Sequence, residues 1–303
     1  MSTEPLSGHR GLTVLRDEAG LVEVLRDVIV AEGPDALKFL QSQLSQDLTT
    51  LGEGTATWSF LLQPAGKLVG FVRVVRTGSE SYRIDGDPGV GSGIEAALRR
   101  FLIRTKCTLA LTENVPMVAV RGPGSLPLRA SVGAVDDCFP SMTGFDVFAD
   151  NVVERIRDLS VVAPECYEYL RIASGVPMWP YDLTESTIPN ATGLISIAVS
   201  FTKGCYVGQE LVERIDSRGA ATPRSLRRIH FKSSEAVSPL DFAVGAEVFD
   251  TSGSKGSLTS VASIDNKAGV ALAYLHRDVA IGAVVTLGSS TGVAGMVSAL
   301  EIG

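Results

Sequence analysis

From Arg228 onward the chain breaks into short apolar runs, IHF, AEVFD, SLTSVASI, VALAYL, AVVTL and GMVSALEI, separated by Gly, Ser and Asp. Runs this short and rich in β-branched residues suit strands rather than helices, which need about ten residues or more. Six strands in about 75 residues leave two solutions, a small barrel or a sandwich. Residues 223–303 are therefore predicted to form a separate all-β domain, and residues 1–222 must build their own core.

That longer part has a different texture. Leu21 to Ala31 is β-branched enough for a strand, and the following GPDALKFLQSQLSQDL sets Ala36, Leu37, Leu40 and Leu44 at helical spacing behind Pro34, which fits a first helical position. Thr55–Leu62, the Gln63-Pro64-Ala65-Gly66 turn, Leu68–Val75 and Ser81–Ile84 read as an antiparallel meander, because Pro and Gly fall where turns need them. A second helix is predicted from Gly93 to about Thr105, with Ile94, Ala97, Leu98, Phe101 and Leu102 along one stripe. Residues 108–162 return to strands and turns, and Pro164 opens a third helix, PECYEYLRIAS, stopped at Gly175-Val176-Pro177.

Composition narrows the function. With 27 Lys plus Arg against 34 Asp plus Glu, the net charge is −7, so the chain lacks the overall positive field of a nucleic-acid binder. Cys107, Cys138, Cys166 and Cys205 are irregularly spaced, form no C-x-x-C pair and are joined by histidines only at 9, 230 and 276. Neither a zinc site nor a disulfide framework is expected, and a reduced cytoplasm is the expected home. The first twenty residues carry no cationic start followed by an apolar stretch, and no apolar run approaches the ~18 residues of a membrane span.

The stretch FTKGCYVGQELVERI, Phe201 to Ile215, concentrates the candidate chemistry. Lys203-Gly204-Cys205-Tyr206 reads as a turn feeding a helix with Val207, Leu211, Val212 and Ile215 on one face and Glu210 and Arg214 as i,i+4 partners. A thiol beside a lysine and near a helix N-terminus is favoured as the thiolate, which makes Cys205 the candidate reactive residue and Lys203 its tuning partner. Gly204 and Gly208 allow a ligand to approach the backbone, and Gln209 offers amide donors and an acceptor. A plainer reading stands beside this one: Cys205 packs, Gly204 turns and Glu210 pairs with Arg214. Arg214, Arg218, Arg224, Arg227 and Arg228 form a local basic run, suited to an anionic carboxylate tail or to RNA phosphates, or simply a solvated surface.

The string K-G-C-Y-x-G-Q-E resembles the signature of the folate-binding YgfZ-type family, relatives of the glycine-cleavage T-protein that assist iron-sulfur cluster assembly or repair. Leu170-Arg171-Ile172, Gly175-Val176-Pro177, Ile188-Pro189, Ser200-Phe201 and Arg218-Gly219 extend the resemblance, and GPDALKFLQSQLSQDL and the Pro64-Ala65-Gly66-Lys67 turn resemble the family's opening elements. The resemblance implies a T-protein-like cloverleaf of two mixed α+β lobes, within residues 1–222, plus a small C-terminal β-barrel. It implies tetrahydrofolate or a derivative as ligand, with Gly204, Tyr206, Gly208, Gln209, Glu210, Arg214 and Arg218 as folate-binding residues and Asp47 and Lys67 near the channel. Implied partners are iron-sulfur enzymes or assembly proteins, iron-sulfur tRNA-modifying enzymes among them. Two positions depart from the pattern. Ala173 stands where many relatives carry a carboxylate that accepts N–H bonds from the pterin, and Asn190 stands where Gln or Glu is common. A tetrahydrofolate-dependent aminomethyl or methyl transferase and a non-catalytic binding module are the alternatives.

Overall fold

The computed structural model describes residues 4–130, 132, 136–148, 154–217, 222–233, 243–265 and 267–300. The chain opens with helix α1 (Gly8–Asp17) and runs into strand β1 (Gly20–Glu32), helix α2 (Ala36–Gln43) and the meander β2 (Ala56–Leu62), β3 (Leu68–Arg76) and β4 (Ser81–Gly86). Helix α3 (Gly91–Arg99) leads to β5 (Thr108–Arg121), then short α4 (Leu126–Arg129), β6 (Asp136–Asp137), β7 (Gly144–Phe148), α5 (Glu154–Arg157) and β8 (Ser160–Val161). These strands form one sheet in the order β2-β3-β4-β1-β5-β7-β6, with β8 parallel to the start of β1. The long β1–β5 pair is its spine, and a bulge between Arg26 and Val28 bends it.

Helices α6 (Pro164–Ala173), α7 (Ile195–Ala198) and α8 (Gln209–Ser217) follow, and the remaining strands close a barrel in the order β10-β11-β12-β9-β14-β13. Those strands are β9 (Arg224–Lys232), β10 (Glu247–Asp250), β11 (Gly253–Asp265), β12 (Ala268–His276), β13 (Val284–Leu287) and β14 (Val293–Ser298), one for each apolar run of the sequence. The mixed α+β body with a closed barrel answers the expected fold, and barrel rather than sandwich is the outcome. The barrel is fastened to the body through α6: Ile172 packs against Leu226, Val270 and Leu272, and the Tyr274 hydroxyl donates to the Asp182 carbonyl at 3.0 Å.

Local differences from the expected helices have physical causes. Helix α2 starts at Ala36 behind an Asp35 N-cap, so Pro34 lies outside it, because Asp35 is tied to Lys106 through both backbone and side chain. It also ends early. Leu44 is extended and bridges Leu61. Helix α3 covers Gly91–Arg99 rather than Gly93 to Thr105. Its start is set by the buried Asp27 carboxylate, which accepts the Gly89, Gly91 and Asn114 N–H groups at 2.8–3.0 Å. Beyond it the chain turns back toward β5, with Arg104 at φ 57° and Phe101 left exposed.

Candidate functional site

The motif folds as a clamp between distant parts of the chain. Lys203 Nζ donates to the carbonyls of Gln41, Leu44 and Gln46 at 2.7, 2.6 and 2.9 Å. An ammonium has three N–H donors, and all are used on carbonyls at and just beyond the end of α2, where helical partners run out. Burial pulls the Lys203 ammonium down to about 8, with Asp47 acting in the opposite direction, so the group stays charged at neutral pH. Asp47 is itself held below the ordinary carboxylate range by hydrogen bonds from Thr49, with Gln41 adding another.

Lys203 therefore spends its donors on the backbone rather than on Cys205. Helix α8 begins at Gln209, four residues past the cysteine, so Cys205 also lies outside its first turn. The thiol is exposed, whereas Cys107, Cys138 and Cys166 are buried. Burial pushes those other three thiols up.

The neighbours of Cys205 are mostly structural. Gly208, at φ +80°, packs on the Pro64–Gly66 turn: an added Cβ would lie 2.5 Å from the Gln63 carbonyl oxygen. Gly66, at φ +82°, is as tightly placed against Leu211. The close approach expected for a ligand is thus filled by the protein's own turn, while Gly204 faces open space. Gln209 Oε1 accepts the Tyr206 N–H at 2.8 Å, fixing the entry to α8. Tyr206 is buried with its hydroxyl unpartnered, and burial pushes that hydroxyl up to about 12. Only Val212 of the expected apolar face is fully buried; Val207, Leu211 and Ile215 are half-buried. Glu210 and Arg214 are both exposed and do not pair with each other, in keeping with the weak pull of solvated charges. Arg218 lies outside the described residues. The basic run does not form one patch: Arg228 is buried and bonds the Ala173 carbonyl and Ser298 Oγ, while Arg224 is exposed.

A separate cavity of about 500 Å³ borders this core. Its aromatic walls come from Trp58 on β2, Phe71 on β3, Phe139 and Tyr167. Trp58 stacks on Phe71 at 5.1 Å and meets the edge of Phe139 at 5.2 Å. One face of α6 supplies Pro164, Tyr167, Glu168 and Arg171, at the i, i+3, i+4 and i+7 positions that share a helix face.

Charged groups floor the cavity, and they are buried. Arg73 donates to Asp85 at 3.0 Å, to Asp146 at 2.7 Å and to the Asp137 carbonyl at 2.9 Å. Arg121 donates to the other oxygen of Asp146 at 2.7 Å. Burial opposes the Arg73 charge, but Asp85, Asp146 and Asp136 outweigh it and hold its pKa above the ordinary value. Against the cost of burial, Arg73, Arg26 and Arg83 hold Asp85 below its ordinary 3.8. Such groups persist only as a paired set, since each alone would be costly to desolvate.

None of the residues from Lys203 to Arg214 lines this cavity, and neither do Asp47 and Lys67. The motif lies behind it instead, with Tyr206 and Val212 packed in the same apolar core as Phe71 and Phe139. Sequence reasoning missed Trp58, Arg73, Arg121, Asp146 and Glu168. A signal existed for two of them: Arg73 and Arg121 interrupt the apolar runs FVRVV and VAVRG, where an unpaired charge would not survive. Among the described residues no group of three His, Cys, Asp or Glu side chains is placed to hold a metal ion, and no helix is long and apolar enough to cross a membrane.

Comparison with known proteins agrees with the resemblance carried by the motif. No protein-family model matches the chain. It is 27% identical over 224 residues to the tRNA-modifying protein YgfZ of Photorhabdus laumondii, covering 64% of this chain and 65% of that one. It is 27% identical over 237 residues to the iron-sulfur cluster assembly factor IBA57 homolog, mitochondrial, of Phaeosphaeria nodorum, covering 71% and 56%. The chain thus matches less than two thirds of the length of either relative. Among solved structures, the glycine cleavage system aminomethyltransferase T from Bartonella henselae superposes with a TM-score of 0.81 at 19% identity, over 97% of this chain and 89% of that one. At that identity the likeness concerns the fold: this chain has the T-protein fold.

Proposed function

We propose that the chain binds a reduced folate, tetrahydrofolate or a derivative, in the aromatic cavity and acts as an accessory factor in iron-sulfur cluster assembly or repair, with Cys205 as its functional thiol. The observation that carries the reading is Cys205 itself, exposed within KGCYVGQE while every other cysteine is buried. The names of the relatives support the client class, iron-sulfur enzymes and assembly proteins, with tRNA-modifying enzymes among them. The division into a folate-binding part, residues 1–222, and a barrel, residues 223–303, belongs to the same reading. So does a reduced cytoplasm, where free thiols persist.

The cavity residues fit the ligand. Trp58, Phe71 and Tyr167 offer flat apolar surface to a pterin and its aminobenzoyl ring, and the charged floor offers fixed polar partners. A bound reduced folate supplies an electron-rich pterin and, in its substituted forms, a one-carbon unit. The chain's own part is to orient that ring and to keep water from it.

Deletion of the gene tests the role. Iron-sulfur enzyme activities should fall under oxidative stress while glycine cleavage stays normal, and a Cys205→Ser copy should fail to restore them. Loss of glycine cleavage with intact iron-sulfur enzymes would support a transferase instead.

A further inference from the structure

We propose that the groove between α3 and the β2–β3 turn, together with the basic loop that follows α3, is a docking surface for an acidic amphipathic segment of a partner protein. Who the partner is rests on the accessory-factor reading; the surface itself does not.

The stretch Arg99–Lys106, RRFLIRTK, carries four cations, and no Asp or Glu occurs from Ala96 to Thr112. In a chain of net charge −7 this is a local reversal of sign. Arg99 is spent on Glu95 at 2.7 Å. The side chains of Arg100, Arg104 and Lys106 are exposed and make no ion pair or hydrogen bond with any described residue. Asp35, the carboxylate that reaches this loop, accepts the Lys106 backbone N–H at 2.8 Å instead. Leu102 packs against the core, which leaves its neighbours Phe101 and Ile103 outside, 43% and 75% exposed. Ile103 is the most exposed large apolar side chain among the described residues.

These groups adjoin a concavity. Arg100 and Phe101 line a groove of about 430 Å³ whose other walls include Leu62, Pro64, Val69 and Ala97. One carboxylate, the exposed Glu185, lines it as well, against the three unpaired cations of the loop. The turn that walls the groove also holds the motif: an added Cβ on Gly208 would lie 2.5 Å from the Gln63 carbonyl oxygen and 2.8 Å from Leu62 Cβ. A segment seated in the groove therefore rests on the same turn as the loop that exposes Cys205.

The surface matches an acidic helix better than other anions. Ile103 has no ring for bases to stack on, and Phe101 borders a groove rather than a flat platform, which disfavours single-stranded RNA. A lipid surface is met by an apolar face laid into it, not by a concavity that takes one side chain at a time. An apolar stripe flanked by carboxylates satisfies both the groove and the cations.

Fluorescence anisotropy of the full chain tests this with a labelled helical peptide carrying leucines at i, i+3, i+4 and i+7 and glutamates elsewhere, beside a version with lysines for the glutamates. The acidic peptide should bind the natural chain at least about tenfold more tightly than the basic one. Arg100→Glu with Arg104→Glu should remove about tenfold or more of that affinity, and Phe101→Ala a similar amount. In cells lacking the gene, the charge-reversed chain should fail to restore iron-sulfur enzyme activities, yet bind 5-formyltetrahydrofolate as the natural chain does. Absence of saturable binding by the acidic peptide overturns the inference, as does equal binding of the two peptides or binding unchanged by the charge reversal. Phosphatidylglycerol vesicles or a tRNA transcript that bind through Arg100 and Arg104 where the acidic peptide does not also overturn it. A charge-reversed chain that restores the enzymes fully overturns the partner role while the accessory-factor reading stands; if the natural chain restores nothing, it is that reading which falls, and the peptides still decide the surface.

Discussion

The cavity and the Lys203–Gly208 loop divide the work of the molecule in opposite ways. The loop is a contiguous string whose polar groups are mostly spent on the fold: Lys203 on three carbonyls, Gly208 on the Pro64–Gly66 turn and Gln209 on the Tyr206 N–H. It leaves the Cys205 thiol exposed. The cavity is assembled from residues between Val24 and Met178, and the charges of its floor, Arg73 and Asp146 among them, are buried and paired. A conspicuous string thus marks where a loop must be held, whereas the polar groups of the cavity are gathered from scattered positions.

The largest expected effect lies in the cavity floor. Asp85→Asn leaves Arg73 and Arg26 short of a buried counter-charge and should cost about 3–5 kcal/mol in denaturant unfolding. Because the folded pKa of Asp85 lies below its ordinary 3.8, the native carboxylate contributes stability above that pH and loses it as pH falls through the folded value. The variant should therefore show a flatter acid limb than the natural chain. If Asp85→Asn unfolds like the natural chain at pH 7, the floor does not hold the fold as the hydrogen bonds imply.

The clamp comes next. Lys203→Met removes the partner of three carbonyls at the end of α2 and should cost about 1–3 kcal/mol, yet leave the cavity's ligand affinity unchanged. A variant of normal stability that reacts abnormally at Cys205 would assign Lys203 a tuning role rather than a structural one. Gly208→Ala should fall in a similar range, about 1–3 kcal/mol, since it combines a positive φ with a 2.5 Å approach to the Gln63 carbonyl.

The smallest stability effect belongs to Cys205→Ser. An exposed position should change unfolding by no more than about 0.5 kcal/mol. Iodoacetamide should modify Cys205 in the native chain well before the buried Cys107, Cys138 and Cys166, as mass spectrometry of digests would show. Equal rates at all four thiols would remove the contrast.

Much of the fold is legible in the residues. Each apolar run after Arg228 becomes a barrel strand, and the meander and the helix at Pro164 lie where turn residues place them. Helix ends were less legible, because their causes are distant: Asp27 sets the start of α3, and Leu44 leaves the helical pattern to bridge Leu61. The site was legible only as a string. Nothing local to Lys203 announces that its acceptors lie some 160 residues earlier, near the end of α2. Likewise Glu168 looks like an ordinary surface residue of a helix until Arg171 and the opposing sheet are in place.

The central claim is that ligand binding and the thiol occupy separate places. The chain has two tryptophans, and Trp58 lines the cavity. Quenching of tryptophan fluorescence by 5-formyltetrahydrofolate, measured before and after alkylation of Cys205, tests that claim directly. Saturable quenching with a dissociation constant unchanged by alkylation is the predicted result. Loss of binding on alkylation, or no saturable quenching up to millimolar ligand, would contradict it.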